Sequence, residues 1–144
     1  MEVSASGDAA RSVTVPVLME HKTAESPVMN DSTATVADLK TLVQDFVSER
    51  QWEPFHDAKN LSMAISIEAA ELMEHFQWLR SDELPAVRDD EEAMREIRAE
   101  LADITAFVLS FAQTMGIDLS SSLAEKMKQN AMKYPVDRFK GRFR

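Results

Sequence analysis

Two acidic pairs, Glu68-Ala-Ala-Glu71 and Glu100-Leu-Ala-Asp103, constrain this chain more than any other feature. Each pair is spaced i, i+3, so on a helix both of its carboxylates leave the same face. Each also sits in a segment that is otherwise largely apolar, where an ordinary helix carries Leu or Ala. Four carboxylates converging between two helices repel one another unless a cation lies among them. The bland alternative is a solvated acidic face, or pairing with Arg95 and Arg98.

The rest of the pattern is helical from Val36 onward. A first helix is predicted over Val36–Arg50, with Thr35 and Asp38 as an N-terminal cap and Leu39, Leu42, Val43, Phe46 and Val47 as its apolar stripe. Pro54 disfavours helix at the residue before it, so Gln51–His56 reads as an unusually aromatic connector whose Trp52 and Phe55 can plug a bundle end. A second helix is predicted over Ala58–Leu79, capped by Asp57 and slimmed by Ala64, Ala69 and Ala70. Arg80–Val87 reads as a polar loop broken by Pro85. A third helix is predicted over Glu91–Met115, with the acidic run Asp89–Glu92 favouring its N-terminus and Gly116 closing its end. A fourth starts at Asp118 or Ser120 and runs to Tyr134-Pro135. The fold class is therefore all-α, a bundle of about four helices over residues 35–144, behind a disordered or loosely attached leader over residues 1–34. Within that leader only Val13–Leu18 could pair briefly as a strand. The C-terminal residues 137–144 are basic and carry no periodicity.

Charge narrows the function. The net charge is −9, with −12 concentrated in residues 35–125 and +6 in residues 126–144. An acidic body argues against a duplex nucleic-acid partner, which needs a basic face to neutralise phosphates. With no cysteine, disulfides, Cys-ligated zinc and thiol catalysis are excluded. No apolar run approaches the ~18–20 residues that span a bilayer, and no basic-then-apolar leader suggests secretion, so no membrane partner and a cytoplasmic location are expected. The three glycines are scattered, which leaves no Gly-rich phosphate loop. His56 and His75 support no Ser–His–acid set.

Magnesium prefers oxygen ligands and keeps sites for substrate phosphates. Glu68, Glu71, Glu100 and Asp103 on two facing helices are therefore candidate Mg²⁺ ligands, and a polyphosphate substrate can supply the remaining oxygens. A di-iron bundle would want Glu-x-x-His on two helices, whereas the i+3 residues here are Glu71 and Asp103. Trp52, Phe55 and Trp78 lie near predicted helix ends, where rings either stack a nucleobase or pack as a lid. Lys126, Asn130 and Tyr134 recur at i, i+4, i+8 and share a face, so they can meet phosphate, though any exposed helix can carry such residues.

Four motifs in order are more specific than the acids alone: Trp52-Glu-x-Phe55-His56-x-x-Lys59-Asn60-Leu61, Glu68-Ala-Ala-Glu71-Leu-x-Glu74-x-Phe76-Gln77-Trp78, Glu100-Leu-x-Asp103, and Lys126-Met-x-x-Asn130-x-x-x-Tyr134-Pro135. Together they resemble the MazG-like all-α nucleoside triphosphate pyrophosphohydrolases over residues 36–140, most of all their short dCTP pyrophosphatase branch. The resemblance implies Mg²⁺-dependent cleavage between the α and β phosphates of a (d)NTP, dCTP or a modified pyrimidine deoxynucleotide, as nucleotide-pool house-cleaning. It implies Glu68, Glu71, Glu100 and Asp103 as metal ligands, with Glu71 also catalytic. It further implies Trp52, His56, Trp78, Lys126, Asn130 and Tyr134 as substrate-binding residues. A homo-oligomer, dimer or tetramer, with sites shared between subunits is implied as well.

Three positions depart from that pattern: Ile67 stands where a double acid begins the first motif, Val43 where some members carry His, and Phe107 where some carry Tyr. They leave the metal chemistry intact and bear on the base. Another non-canonical triphosphate, or a non-catalytic helical interaction module, are the alternative readings.

Overall fold

The computed structural model describes residues 29–142, which are helical with no strand among them. In chain order come α1 (Val36–Glu49), a 3-10 turn (Glu53–Phe55), α2 (Ala58–Glu74), α3 (Leu84–Asp89), α4 (Glu91–Thr114), α5 (Leu119–Lys133) and α6 (Val136–Phe139). The all-α expectation and its four long helices are met, with two short helices added. Residues 1–28 of the expected leader, Val13–Leu18 included, lie outside the described residues, as do residues 143–144.

Caps chosen by the sequence set the starts. Thr35 and Asp38 form a reciprocal box: the Asp38 backbone N–H donates to Thr35 Oγ1 at 3.1 Å, and the Thr35 backbone N–H donates to Asp38 Oδ2 at 2.8 Å. Asp57 accepts from the Asn60 backbone N–H at 2.8 Å, and Asp118 from that of Ser121 at 2.7 Å. Of the acidic run, Asp90 is the cap, accepting from the backbone N–H groups of Glu92 and Ala93, while Asp89 ends α3.

The ends differ from expectation in three places. α2 stops at Glu74 rather than Leu79, because the backbone N–H groups of Phe76 and Gln77 both donate to the Met73 carbonyl and the chain tightens into turns. Phe76 and Leu79 keep helical spacing within those turns, which is why the pattern read as helix. The Arg80–Val87 stretch is not all loop. Pro85 sits in the first turn of α3, where its missing N–H costs no hydrogen bond, so it starts a helix instead of breaking one. The basic tail also winds into α6, with Tyr134 and Phe139 packed edge to face at 5.3 Å.

α2 lies against α4 in the most extensive contact of the fold, and α1 and α3 pack on α4. Among the described residues the buried apolar ones are Val47 from α1, Leu61 from α2, and Leu109 and Ala112 from α4. α5 makes only sparse contact with the other helices. Its corner is tied by Lys40 Nζ donating to the Ile117 carbonyl at 3.1 Å.

Two helices end in the same hydrogen-bonded motif. At α4, Gly116 (φ +64°) donates to the Gln113 carbonyl and Ile117 to that of Ala112, the Schellman pattern that needs a left-handed residue. At α1, Gln51 takes that position at φ +53°, donating to the Ser48 carbonyl while Trp52 donates to that of Val47. A side chain there costs about 1–2 kcal/mol, part of which glycine returns as chain entropy. Gln51→Gly is therefore expected to stabilise the fold by about 0.5–1 kcal/mol, read as a rise in denaturation midpoint. A fall would show that the Gln51 side chain contributes more than its backbone costs.

Candidate functional site

Three of the four acids meet. Glu68 and Glu71 from α2 and Glu100 from α4 each bring a carboxylate oxygen within 4.8 Å of the others. Glu68 and Glu100 are half-buried, and Glu71 is exposed. Asp103 falls outside that group of three, yet its charge still acts on Glu68. Burial, then the charges of Glu71, Asp103 and Glu100, raise the Glu68 carboxyl above its ordinary value.

No base among the described residues pairs with them. Among the described residues Arg95 pairs with Glu92 and Arg80 with Asp82 and Glu83, and no ion pair includes Glu68, Glu71, Glu100 or Asp103. The alternative in which Arg95 or Arg98 neutralises the acids is therefore not realised. Three oxygen donors from two helices, close together and without a cationic side chain, fit a hard divalent cation.

α4 carries the site toward the connector. Glu100, Asp103, Phe107, Ser110 and Thr114 are spaced three and four apart, so they run along one face of the helix. Phe107 stands 6.5 Å, centroid to centroid, from the His56 ring. Thr114 Oγ1 donates to the His56 carbonyl at 3.2 Å, and Asn60 Nδ2 donates to that of Phe55 at 3.1 Å. The connector is thus clamped at the bundle end through its backbone carbonyls, while Trp52 and Phe55 stay exposed and do not form the bundle plug that their composition suggested. Trp52 packs edge to face on Phe46 at 6.0 Å, and the Arg50 guanidinium covers the Phe46 ring at 3.7 Å.

The remaining site residues stay apart within the single chain. Trp78 follows the C-terminal end of α2, 86% exposed, whereas Trp52 and His56 precede its N-terminal end. Seventeen residues of helix between them span about 25 Å. Lys126 and Asn130 lie on α5 and Tyr134 caps its C-terminal end, away from the principal packing of α1, α2 and α4. Ser110 and Thr114 escaped the reading of the sequence. The signal was the continuation of the Glu100–Asp103 spacing through Phe107, masked because Ser and Thr on a helix usually face water.

Known proteins resemble this chain. The dCTP pyrophosphatase 1 of Bos taurus is 35% identical over 123 residues, 85% of this chain and 72% of that protein. That of Mus musculus is 32% identical over 143 residues, 96% of this chain and 80% of its own. A crystal structure of a pyrophosphatase from Archaeoglobus fulgidus superposes with a TM-score of 0.64 at 36% identity, covering 69% of this chain and 91% of that one. The MazG-like family pattern matches residues 63–142, which include Glu68, Glu71, Glu100, Asp103 and the Lys126–Tyr134 line. On that match and those relatives, the chain belongs to the MazG-like family.

Proposed function

We propose that this protein hydrolyses dCTP or a modified pyrimidine deoxynucleoside triphosphate between its α and β phosphates, releasing the monophosphate and pyrophosphate with Mg²⁺ as cofactor. The observation that carries this reading is the uncompensated carboxylate group of Glu68, Glu71 and Glu100, in a MazG-like chain whose relatives bear the name dCTP pyrophosphatase. Bound Mg²⁺ supplies charge neutralisation at phosphate and a lowered pKa for an attacking water. Glu68, Glu100 and Asp103 serve as ligands. Glu71, the exposed member of the three, both ligates and orients the water or takes its proton. Trp52 and His56 of one copy and Trp78 of another contact the base end, and Lys126, Asn130 and Tyr134 meet the phosphates. The catalytic domain is residues 35–144, acting in the cytoplasm to keep unwanted nucleotides out of the pool. No helix among the described residues is long and apolar enough to cross a membrane.

The working unit is a homo-oligomer, a dimer or tetramer. α5 leaves Leu123 62% and Met132 76% exposed, and α2 and α4 leave Met63, Ile67 and Leu101 more than half exposed. Apolar surface of that extent is normally covered by a partner. A second copy bringing α5 to this site would supply the phosphate-binding line that the single chain keeps apart.

A panel of triphosphates with Mg²⁺ tests the reaction. Pyrophosphate release, fastest with dCTP or a modified pyrimidine, is expected. Orthophosphate as the first product would overturn α–β cleavage, and no turnover with any member would overturn the enzymatic reading.

Metal binding has its own signature in stability. The folded Glu68 carboxyl titrates above its unfolded value. Its contribution is therefore favourable below the unfolded value and lost as pH rises through the folded one. At neutral pH the metal-free fold carries that repulsion. Mg²⁺ at about 100 times its Kd is expected to stabilise the protein by about 2.7 kcal/mol. Glu68→Gln is expected to raise the metal-free Tm and to remove most of the Mg²⁺-induced rise. A Tm indifferent to Mg²⁺ would count against the site.

A further inference from the structure

A second polar feature lies beyond the acids. At the connector end, Gln44, Val47, Glu53, His56, Ser110 and Thr114 line a cavity of about 70 Å³. Ser110 is the buried polar side chain of the described residues, 6% exposed, one turn beyond Phe107 on α4. His56 Nδ1 is shielded from solvent and makes no hydrogen bond to the protein among the described residues. The rest of His56 is held firmly: its backbone N–H donates to the Glu53 carbonyl at 3.1 Å and its carbonyl accepts from Thr114 Oγ1.

Glu53 brings a solvent-exposed carboxylate to the wall of this cavity. Its own backbone N–H, then the Ser48 hydroxyl, hold its carboxyl below the usual value, and His56 adds to the effect. Gln44 Nε2 donates to Ser48 Oγ at 2.9 Å, which turns the hydroxyl proton outward from Gln44. A shielded imidazole nitrogen without a partner is unfavourable, because its lost hydration is not replaced. The cavity is polar and large enough for about two waters at ~30 Å³ each, so its own lining can supply that partner.

We infer that Glu53 and Ser110 are positioning residues for His56: through water in this cavity they keep Nδ1 protonated and leave Nε2 as a hydrogen-bond acceptor. A neutral imidazole carries one proton, so fixing it at Nδ1 decides what Nε2 can do. The consequence for substrate rests on the function proposed above. An acceptor at Nε2 suits an amino group on a bound base and is poorly matched to a carbonyl. Glu53 and Ser110 would thereby discriminate aminopyrimidine from oxopyrimidine triphosphates without touching either.

Long-range ¹H–¹⁵N correlation spectra of the full chain, recorded above the imidazole titration range, read the tautomer directly. The His56 resonances, identified by their loss in His56→Gln, are expected to show an Nδ1–H tautomer. Glu53→Gln and Ser110→Ala are expected to average or invert the two nitrogens, and Ser110→Thr to restore them. An Nε2–H tautomer in the native protein, or variants that leave the spectrum unchanged, would overturn the assignment.

Kinetics supply the second readout. Glu53→Gln and Ser110→Ala are expected to raise KM for dCTP several-fold with kcat within about twofold, and to narrow the preference for dCTP over dUTP. Equal losses on both substrates would make the two residues structural and overturn the discrimination. Hydrolysis of neither triphosphate by the native protein would count against the proposed function instead, and the tautomer measurement would then judge the positioning by itself.

Discussion

Glu71→Gln is expected to cut pyrophosphate release by about 100-fold or more while leaving helix content and assembly unchanged. The substitution keeps the size of the side chain and removes its charge and basicity. Glu71 is exposed and joins no ion pair among the described residues, so the fold has little to lose. An exposed substitution of this kind moves stability within about 0.5 kcal/mol. Relief of repulsion on Glu68 acts in the stabilising direction, since the Glu71 charge is among the causes that raise the Glu68 carboxyl. Activity and stability should therefore separate cleanly. Circular dichroism and the oligomer profile should match the native protein, while turnover at saturating Mg²⁺ collapses. Turnover within twofold of native would mean that Glu71 is neither ligand nor base.

Mixing two inactive variants is expected to restore activity. Lys126→Ala removes a proposed phosphate contact on α5, and Glu71→Gln disables the acids on α2. If α5 completes the site of a second copy, a mixed dimer holds one site with both lesions and one with neither. Random exchange makes half of the dimers mixed, so about a quarter of native activity returns from two preparations that each have almost none. The physical ground is the layout of the single chain. α5 lies away from the principal helix packing and carries Leu123, Met127 and Met132 largely uncovered. Subunit exchange should be verified by mass spectrometry of differently labelled chains. Verified exchange without recovery would mean that each chain completes its own site, with α5 moving onto its own acids when substrate binds.

Much of this protein could be read from residue spacing. The acids are the clearest case. An i, i+3 pair on a regular helix puts both of its carboxylates on one face, so each acidic face was legible before its neighbour was known. Thr35, Asp57 and Asp118 were legible for a similar reason, since capping is decided within four residues. Where the reading went wrong, the deciding contact was short-range yet ambiguous. Phe76 and Leu79 satisfy helical spacing, but the Met73 carbonyl accepts from both Phe76 and Gln77 and the helix closes into turns. Pro85 looked like a breaker, because the sequence does not say whether a proline starts a helix or interrupts one.

Other features depend on where distant segments meet. His56 acquires its surroundings from Phe107 and Thr114, more than fifty residues away, and no local period encodes that encounter. Ser110 became part of a polar cavity only once α4 lay against the connector. The separation of Trp78 from Trp52 likewise follows from the length of α2, which stands between them as a rigid spacer.

The sequence alone therefore determined the helical class, the caps and the acidic faces, because these follow from hydrogen bonds and periodicities within a few residues. Tertiary structure decided which faces meet. It brought Glu100 to Glu68 and Glu71 and His56 to the polar cavity, and it left α5 apart from both. Burial and charge at those meetings depend on packing between helices remote in the chain, which residue order by itself does not specify.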